Sequence, residues 1–425
     1  MTDVRRFRAL RYDPARVDLS RVIVPPYDVI APADREAFYE SDPHSAIRLE
    51  LTRRVEDERG TDYTEVRRHL DCWREEGVLL RDEAPSLYAL RQEFQAPDGS
   101  RQVRHGFFAL LRLEDYERRV VRPHERTLAG PKADRLKILR ATHANLSVVF
   151  TLYEDREGVM DGAIASASGG PPLTEARDPT GTRHSLWRIE ATDTVESIRS
   201  FLAERPVVIA DGHHRYETAL AFRDEMRAAH PDAGPDAPHE FLLAYFANAY
   251  APGTLLLPIH RLIQKGSMPT DAAWSERLPE WSQEKVAVPS AESIPELLTT
   301  HLVPLRDRHA FAADDASGTL RIFTRPRDAG DDLTIRLIHR DVIEGVFRLD
   351  EAAVHGGAID YPKDALRTAR DLREGRGVVA LYTNALSPDD VFAVTAAGEV
   401  LPQKSTFFSP KLPSGLVFRT LEEDA

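Results

Sequence analysis

The sequence predicts an α+β protein with more than one domain, and three observations carry that expectation. Strand-like and helix-like hydrophobic patterns follow one another in mixed order, neither as a regular βαβ series nor as strands alone. Apolar residues make up 42 % and charged residues 29 % of the 425 residues, a composition that can bury a large core. At about 150 residues per domain, that length suggests two or three domains. No internal repeat or heptad pattern runs through the chain. We expect a first domain over 1–250 and a mixed α/β region over 251–425.

The elements follow in order. RVIVPPYDVI, from Arg21 to Ile30, reads as a strand end entering a rigid extended turn at Pro25-Pro26. DYTEVRRHLDCWREEG, residues 62–77, spaces its apolar positions as a helix that stops at Gly77. LYALRQEF (87–94) and RHGFFALLRL (104–113) read as paired strands around Pro97-Asp98-Gly99. PKADRLKILRATHANLS (131–147) reads as a helix with Pro131 at its first position, and SVVFTLYE (147–154) as a strand. Residues 161–184 contain SASGGPP and DPTGT and read as a loop or insertion. PVVIADGHHRYETALAFRDEMR (206–227) reads as a buried strand, a sharp polar turn and an amphipathic helix, followed by a flexible surface loop at 228–238. FLLAYFANAY (241–250) and TLLLPIHRLI (254–263) are buried strands, or a strand and a helix, and 400–418 is rich in loops.

Charge and cysteine content exclude several classes. The 56 Lys and Arg against 69 Asp and Glu leave a net charge of −13, which argues against a protein that coats nucleic acid or lies on a membrane, since both need a basic face. The one cysteine, Cys72, rules out an internal disulfide and a four-cysteine zinc site. No apolar run approaches the roughly 18 residues of a membrane span, and Met1 to Arg11 lacks the apolar stretch of a signal peptide. The cytoplasm is the expected location.

Four stretches could carry chemistry. Asp211-Gly212-His213-His214-Arg215 lies between a buried strand and a helix. The N–H groups opening that helix point into the turn, which suits an anion, and Gly212 permits close approach of a ligand. The bland reading makes Asp211 a helix cap and leaves the histidines on the surface. Arg122-Pro123-His124-Glu125-Arg126 comes next, with Lys132 and Arg135 on one face of the following helix and Asp134 off it. A carboxylate beside cations stays ionised and can accept a proton, but a solvated charge cluster reads the same way. Lys404-Ser405-Thr406, with Ser409 and Lys411, lacks the glycine cradle of a P-loop. It suits a phosphate or an amino-acid carboxylate, or is an ordinary loop. Pro25-Pro26 aims Tyr27 and Asp28, which line a pocket or simply form a turn. Of seven Lys in the chain, three (Lys132, Lys404 and Lys411) fall in these stretches. No nucleophile elbow and no GxGxxG is present.

RALRYDP (8–14), PPYDVI (25–30), RPHERT (122–127), PKADRL (131–136), ADGHHRYETA (210–219), LPIHRL (257–262) and PQKSTFFSPKLPSG (402–415) together resemble the bacterial domain-of-unknown-function family 1015, often labelled a SpoOJ/ParB-type protein. IADGHHRY (209–216) is similar to the phosphate-binding box of the ParB/sulfiredoxin fold. Within that fold, Pro123-His124-Glu125, Asp211 to Arg215 and Lys404-Ser405-Thr406 resemble, in the same order, three motifs of the archaeal free serine kinases.

The resemblance implies a ParB/sulfiredoxin-like nucleotide-binding core with large insertions and a substrate loop at 402–415. It implies phosphoryl transfer from ATP or ADP, with magnesium, to a small hydroxyl compound, free L-serine giving O-phosphoserine. Glu125 would be the general base, with His124 and Asp211 catalytic. Gly212, His213, His214, Arg215, Lys132 and Arg135 would hold the nucleotide phosphates, and Asp211 would also be a magnesium ligand. Lys404, Ser405, Thr406, Tyr27 and Asp28 would hold the acceptor. Such chemistry needs cations, a helix terminus and one base. Three alternatives stay open: the reverse, phosphatase-like direction; a ParB-like nucleotide switch or DNA-partition protein; and an idle module that keeps the phosphate turn.

Overall fold

The computed structural model describes residues 1–52, 63–125, 129–328, 330 and 332–421. The chain divides into two compact units, one of residues 1–255, 394–400 and 408–425, the other of residues 256–393 and 401–407.

The first unit is built on a nine-stranded mixed sheet. Its strands in chain order are β1 (Val4–Arg5), β2 (Leu87–Gln95), β3 (Arg101–Arg112), β4 (Val121–Arg122), β5 (Val149–Tyr153), β6 (Thr174–Arg177), β7 (Arg183–Ile189), β8 (Val207–Asp211) and β9 (Phe241–Asn248). They lie in the order β4-β8-β5-β9-β3-β2-β7-β6, with β1 also on β3. The β4–β8 and β5–β9 pairs are parallel and the others antiparallel. β2 and β3 form the expected hairpin, in which Asp98 accepts the Ser100 N–H at 2.9 Å and Gly99 takes a φ of +84°. Every residue of β9 is buried, as a central strand covered on both faces must be.

Five helices of this unit matter below: α1 (Thr64–Glu75), α2 (Ala129–Thr142), α3 (Val159–Ala167), α4 (Thr192–Ala203) and α5 (His213–Ala229). α1 buries Val66, Leu70 and Trp73 at helical spacing and gives way to Gly77 at φ +70°. One face of the sheet and helices α3 to α5 share a core that includes Phe107, Val149, Ile164, Ile198, Ile209, Tyr216 and Phe246.

Several expectations need correction. Residues 161–184 are not one loop, because α3, β6 and β7 occupy most of that stretch. The turn-forming clusters SGGPP and DPTGT punctuate these elements rather than replace them, since Met160, Ile164, Thr174 and Ala176 supply buried faces on either side. Arg21 and Val22 end a short helix, Leu19–Val22, capped by Asp18, and only Val24 pairs as an isolated bridge. Tyr27–Val29 form a 3-10 turn instead of extended chain. α2 begins at Ala129, ahead of Pro131, and ends at Thr142. The 228–238 stretch opens with the last turn of α5 and is tied down where Asp236 pairs with Arg5 and Arg112.

The second unit carries a six-stranded sheet that includes Arg261–Ile263, His309–Asp314, Thr319–Arg325 and Val379–Thr383. Alternation along its central strand sends Phe311 and Ala313 to one apolar cluster and Ala310 and Ala312 to another. The sheet is therefore covered on both faces.

Candidate functional site

The site begins with a backbone irregularity. β8 pairs with β5 in register at Val208 and Ile209, then slips, so that Asp211 rather than Ala210 faces Phe150. A bulge of this kind re-aims the following side chain. Gly212 then takes a φ of +90° and α5 starts at once, with no side chain capping it. The bland expectation that Asp211 caps the helix is therefore not met.

Asp211 instead sits between two cations. Its Oδ2 meets Arg215 Nη2 at 3.1 Å, and its Oδ1 pairs with Lys411 Nζ. Burial opposes ionisation of this carboxylate, but Lys411 and Arg215 outweigh it and hold the pKa well below the usual range. Arg215 Nη1 also donates to the Val148 carbonyl.

The Pro-His-Glu loop follows β4, the strand parallel to β8. The His124 N–H donates to His213 Nε2 at 3.3 Å, and the two rings meet edge to face with centroids 4.6 Å apart. His124 Nδ1 lies 2.5 Å from the Ile209 carbonyl, which can only accept, so the ring proton is on Nδ1. Burial pushes the pKa of His124 down. Burial and the neighbouring His124 push that of His213 well below the ordinary histidine value. Both imidazoles are therefore neutral near pH 7, as the His213 acceptor role requires. Glu125 Oε1 lies 3.9 Å from His124 Nε2, with its side chain 22 % exposed. Arg126 lies outside the described residues.

A second ring of residues surrounds the turn. The half-buried Tyr27 lies 4.1 Å from the Arg135 guanidinium and 5.7 Å from that of Arg215, measured to the ring centroid. Asp28 is exposed beside it. Arg135 is committed elsewhere: it pairs with the buried Glu50 at 3.2 Å and with Asp134 at 2.6 Å. Lys132 pairs with Glu217 of α5 at 2.8 Å. The two cations expected to hold phosphate thus brace α2, and Asp134, expected to stand apart, joins that network. His214 is partly exposed in the first turn of α5, with its pKa lowered by burial.

Lys404, Ser405 and Thr406 belong to the second unit. Ser405 Oγ donates to the Pro402 carbonyl at 2.6 Å and Arg261 donates to the Lys404 carbonyl at 3.3 Å. Lys411 and Phe408 of the same sequence motif belong to the first unit, and Phe408 packs its ring 5.8 Å from that of His124.

The residue that sequence reasoning undervalued is Lys411, noted in its motif but not assigned to the site. A further one is Arg104, fully buried. It donates to the Pro410 carbonyl at 2.7 Å and to Gln92 Oε1 at 2.9 Å, and lies 4.7 Å from the Phe150 ring centroid. It fixes the backbone that presents Lys411. The uncommon choice of Lys over Arg in this chain was the available signal for Lys411. Arg104 gave none, because it looks like one more polar residue in an alternating strand.

Asp211, the expected magnesium ligand, is engaged by the two cations Arg215 and Lys411, and no group of three or more His, Cys, Asp or Glu is arranged to hold a metal among the described residues. No helix among the described residues is long and apolar enough to cross a membrane.

A family model described as a protein of unknown function, DUF1015, matches residues 4–334. The chain belongs to this family. No curated protein matches it. Among solved structures it is similar to a free serine kinase variant in complex with AMP, at 14 % identity and a TM-score of 0.37, over 72 % of this chain and 91 % of that one. It is also similar to a conserved hypothetical protein from Pyrococcus furiosus, at 14 % identity and 0.33, over 72 % and 94 %. A third is SbnI with a C-terminal truncation from Staphylococcus aureus, at 12 % identity and 0.35, over 75 % and 90 %.

Proposed function

We propose that this protein is a nucleotide-dependent phosphotransferase acting on the hydroxyl of a small metabolite, with free L-serine as the acceptor and O-phosphoserine as the product, on a ParB/sulfiredoxin-like core. The observation that carries the reading is the 3.3 Å hydrogen bond from the His124 N–H to His213 Nε2. It joins the loop bearing a carboxylate to the turn bearing the cations. Glu125 stands one residue from that bond.

In this reading the nucleotide phosphates lie against the start of α5, where backbone N–H groups and the helix dipole favour negative charge. Arg215 and Lys411 supply countercharge, shared with Asp211. Glu125 takes the proton of the acceptor hydroxyl as its oxygen bonds to phosphorus and the bond to the nucleotide leaving group breaks. The bond from the His124 backbone N–H to the neutral His213 ring fixes the loop that carries Glu125. Tyr27 and Asp28, beside Arg215, are this unit's candidates for the acceptor side. The choice of serine rests on the order of the three motifs in the sequence.

Purified protein is incubated with ATP or ADP, in magnesium-containing buffer, and a panel of hydroxylated metabolites, and phosphorus NMR follows the products. Phosphoserine formation is expected. Glu125→Gln should lower turnover by about 10²–10⁴-fold, the range for a general base, and leave nucleotide affinity unchanged. Absence of any phosphorylated product, with no rise in melting temperature on adding nucleotide, removes the reading. Nucleotide binding without product leaves a binding module in its place.

A further inference from the structure

The phosphotransfer reading leaves unused the arginines of RRFRALRYDP near the N-terminus. Arg5, Arg6 and Arg8 line a groove of about 430 Å³ in the first unit together with Arg81, Arg419 and one carboxylate, Asp236. Five arginines and one acidic residue line it, on a chain whose net charge is −13. The groove shares no residue with the His124–Asp211 site.

The arginines are not equivalent. Arg419 is buried and donates to the carbonyls of Phe241 at 2.6 Å and Pro238 at 2.9 Å, so it is part of the wall. Arg5 pairs with Asp3 and Asp236 and lies 4.3 Å from the Phe241 ring centroid. Arg6 and Arg8 have no hydrogen bond or ion pair from their side chains among the described residues. β1 anchors the chain just before them by pairing Val4 and Arg5 with Leu111 and Leu110 of β3. Phe7, buried between Arg6 and Arg8, lines the same groove, while Arg8 is exposed and Arg6 partly exposed.

We propose that this groove is a binding site for a small metabolite bearing two or more phosphate charges. Planar guanidinium forks suit phosphate oxygens, and the volume suits a small ligand rather than a chain. An extended polyanion would also be opposed by the chain's net charge of −13. The source of the phosphates, a nucleotide or a sugar phosphate, is left to the test, and the proposal stands whether or not the protein is a kinase.

Inorganic pyrophosphate is titrated calorimetrically into the full chain at physiological salt, where loose surface attraction is screened. Saturable binding is expected. The double variant Arg6→Gln/Arg8→Gln should weaken it at least about tenfold, since each charge-assisted contact is among the strong ones. Asp236→Asn, which removes the one carboxylate, should tighten it, a gain that misfolding cannot mimic. If the turn at 211–215 also takes pyrophosphate, Lys411→Met removes that second site and spares the first, so failure of either reading is seen separately. Titrations with ATP and with a sugar bisphosphate then separate the two sources. Binding that is absent, or unchanged in both groove variants, overturns the proposal. So does a single-stranded RNA that binds more tightly than pyrophosphate through the same arginines.

Discussion

Asp211 concentrates the electrostatics of the first unit in one side chain. Its native pKa lies below the ordinary carboxylate value of 3.8 because Lys411 and Arg215 outweigh the cost of burial. Between those two values the unfolded chain binds more protons than the native one, so stability rises with pH. The contribution is fully present above the carboxylate range and is lost as pH falls through the lowered native value. In Lys411→Met one of the two cations is gone and the native pKa moves back up. The expected outcome, read from denaturant melts between pH 5 and pH 2, is a shallower acid limb in the variant than in the wild type. An equal slope would show that Lys411 does not hold the carboxylate. The neutral His124–His213 pair belongs to the same scale. The doublet in the sequence suggests a pair of donors, yet His213 accepts, a role it can play only while burial keeps it unprotonated.

The element that makes the site is the strand–bulge–helix unit of β8 and α5. Its strand and helix are legible in PVVIADGHHRYETALAF because a buried strand and an amphipathic helix have distinct periods. The bulge is not, since it depends on how β8 pairs with β5. Gly212 is required by its φ of +90°, and a Cβ there would lie 3.3 Å from the Arg215 guanidinium and 3.4 Å from the Val149 Cα. Gly212→Ala is therefore expected to cost about 1–2 kcal/mol, the usual penalty for a side chain in the left-handed region. It should also weaken nucleotide binding by moving Arg215. Thermal melts with and without nucleotide check both effects. A variant with wild-type stability and affinity would mean that the backbone relaxes freely and that the turn is not a cradle.

For the whole molecule, two compact units predict two unfolding transitions. Each has its own sheet and its own apolar clusters, and chains of this kind depart from two-state behaviour. Differential scanning calorimetry should resolve them, and nucleotide should raise the midpoint of one and leave the other in place. A single transition that shifts as a whole would contradict this. The net charge of −13 is a property of the whole molecule too. It sets the arginine-lined groove against an acidic total charge.

What the sequence determined by itself is local. Helix α1, the β2–β3 hairpin, the buried strand β9 and the β8–α5 unit follow from hydrophobic period and turn chemistry over a dozen or so residues, and so do the two short motifs at the site. Tertiary structure decided who partners whom. Lys411 meets Asp211 across 200 positions, His124 meets His213 across 89, and Arg135 meets Glu50 across 85. It also sent Lys132 and Arg135 to brace a helix and placed Lys404–Thr406 in the other unit. Local pattern fixes which face of an element is buried, but an ion pair between distant positions exists only once sheet order and register bring its two charges together.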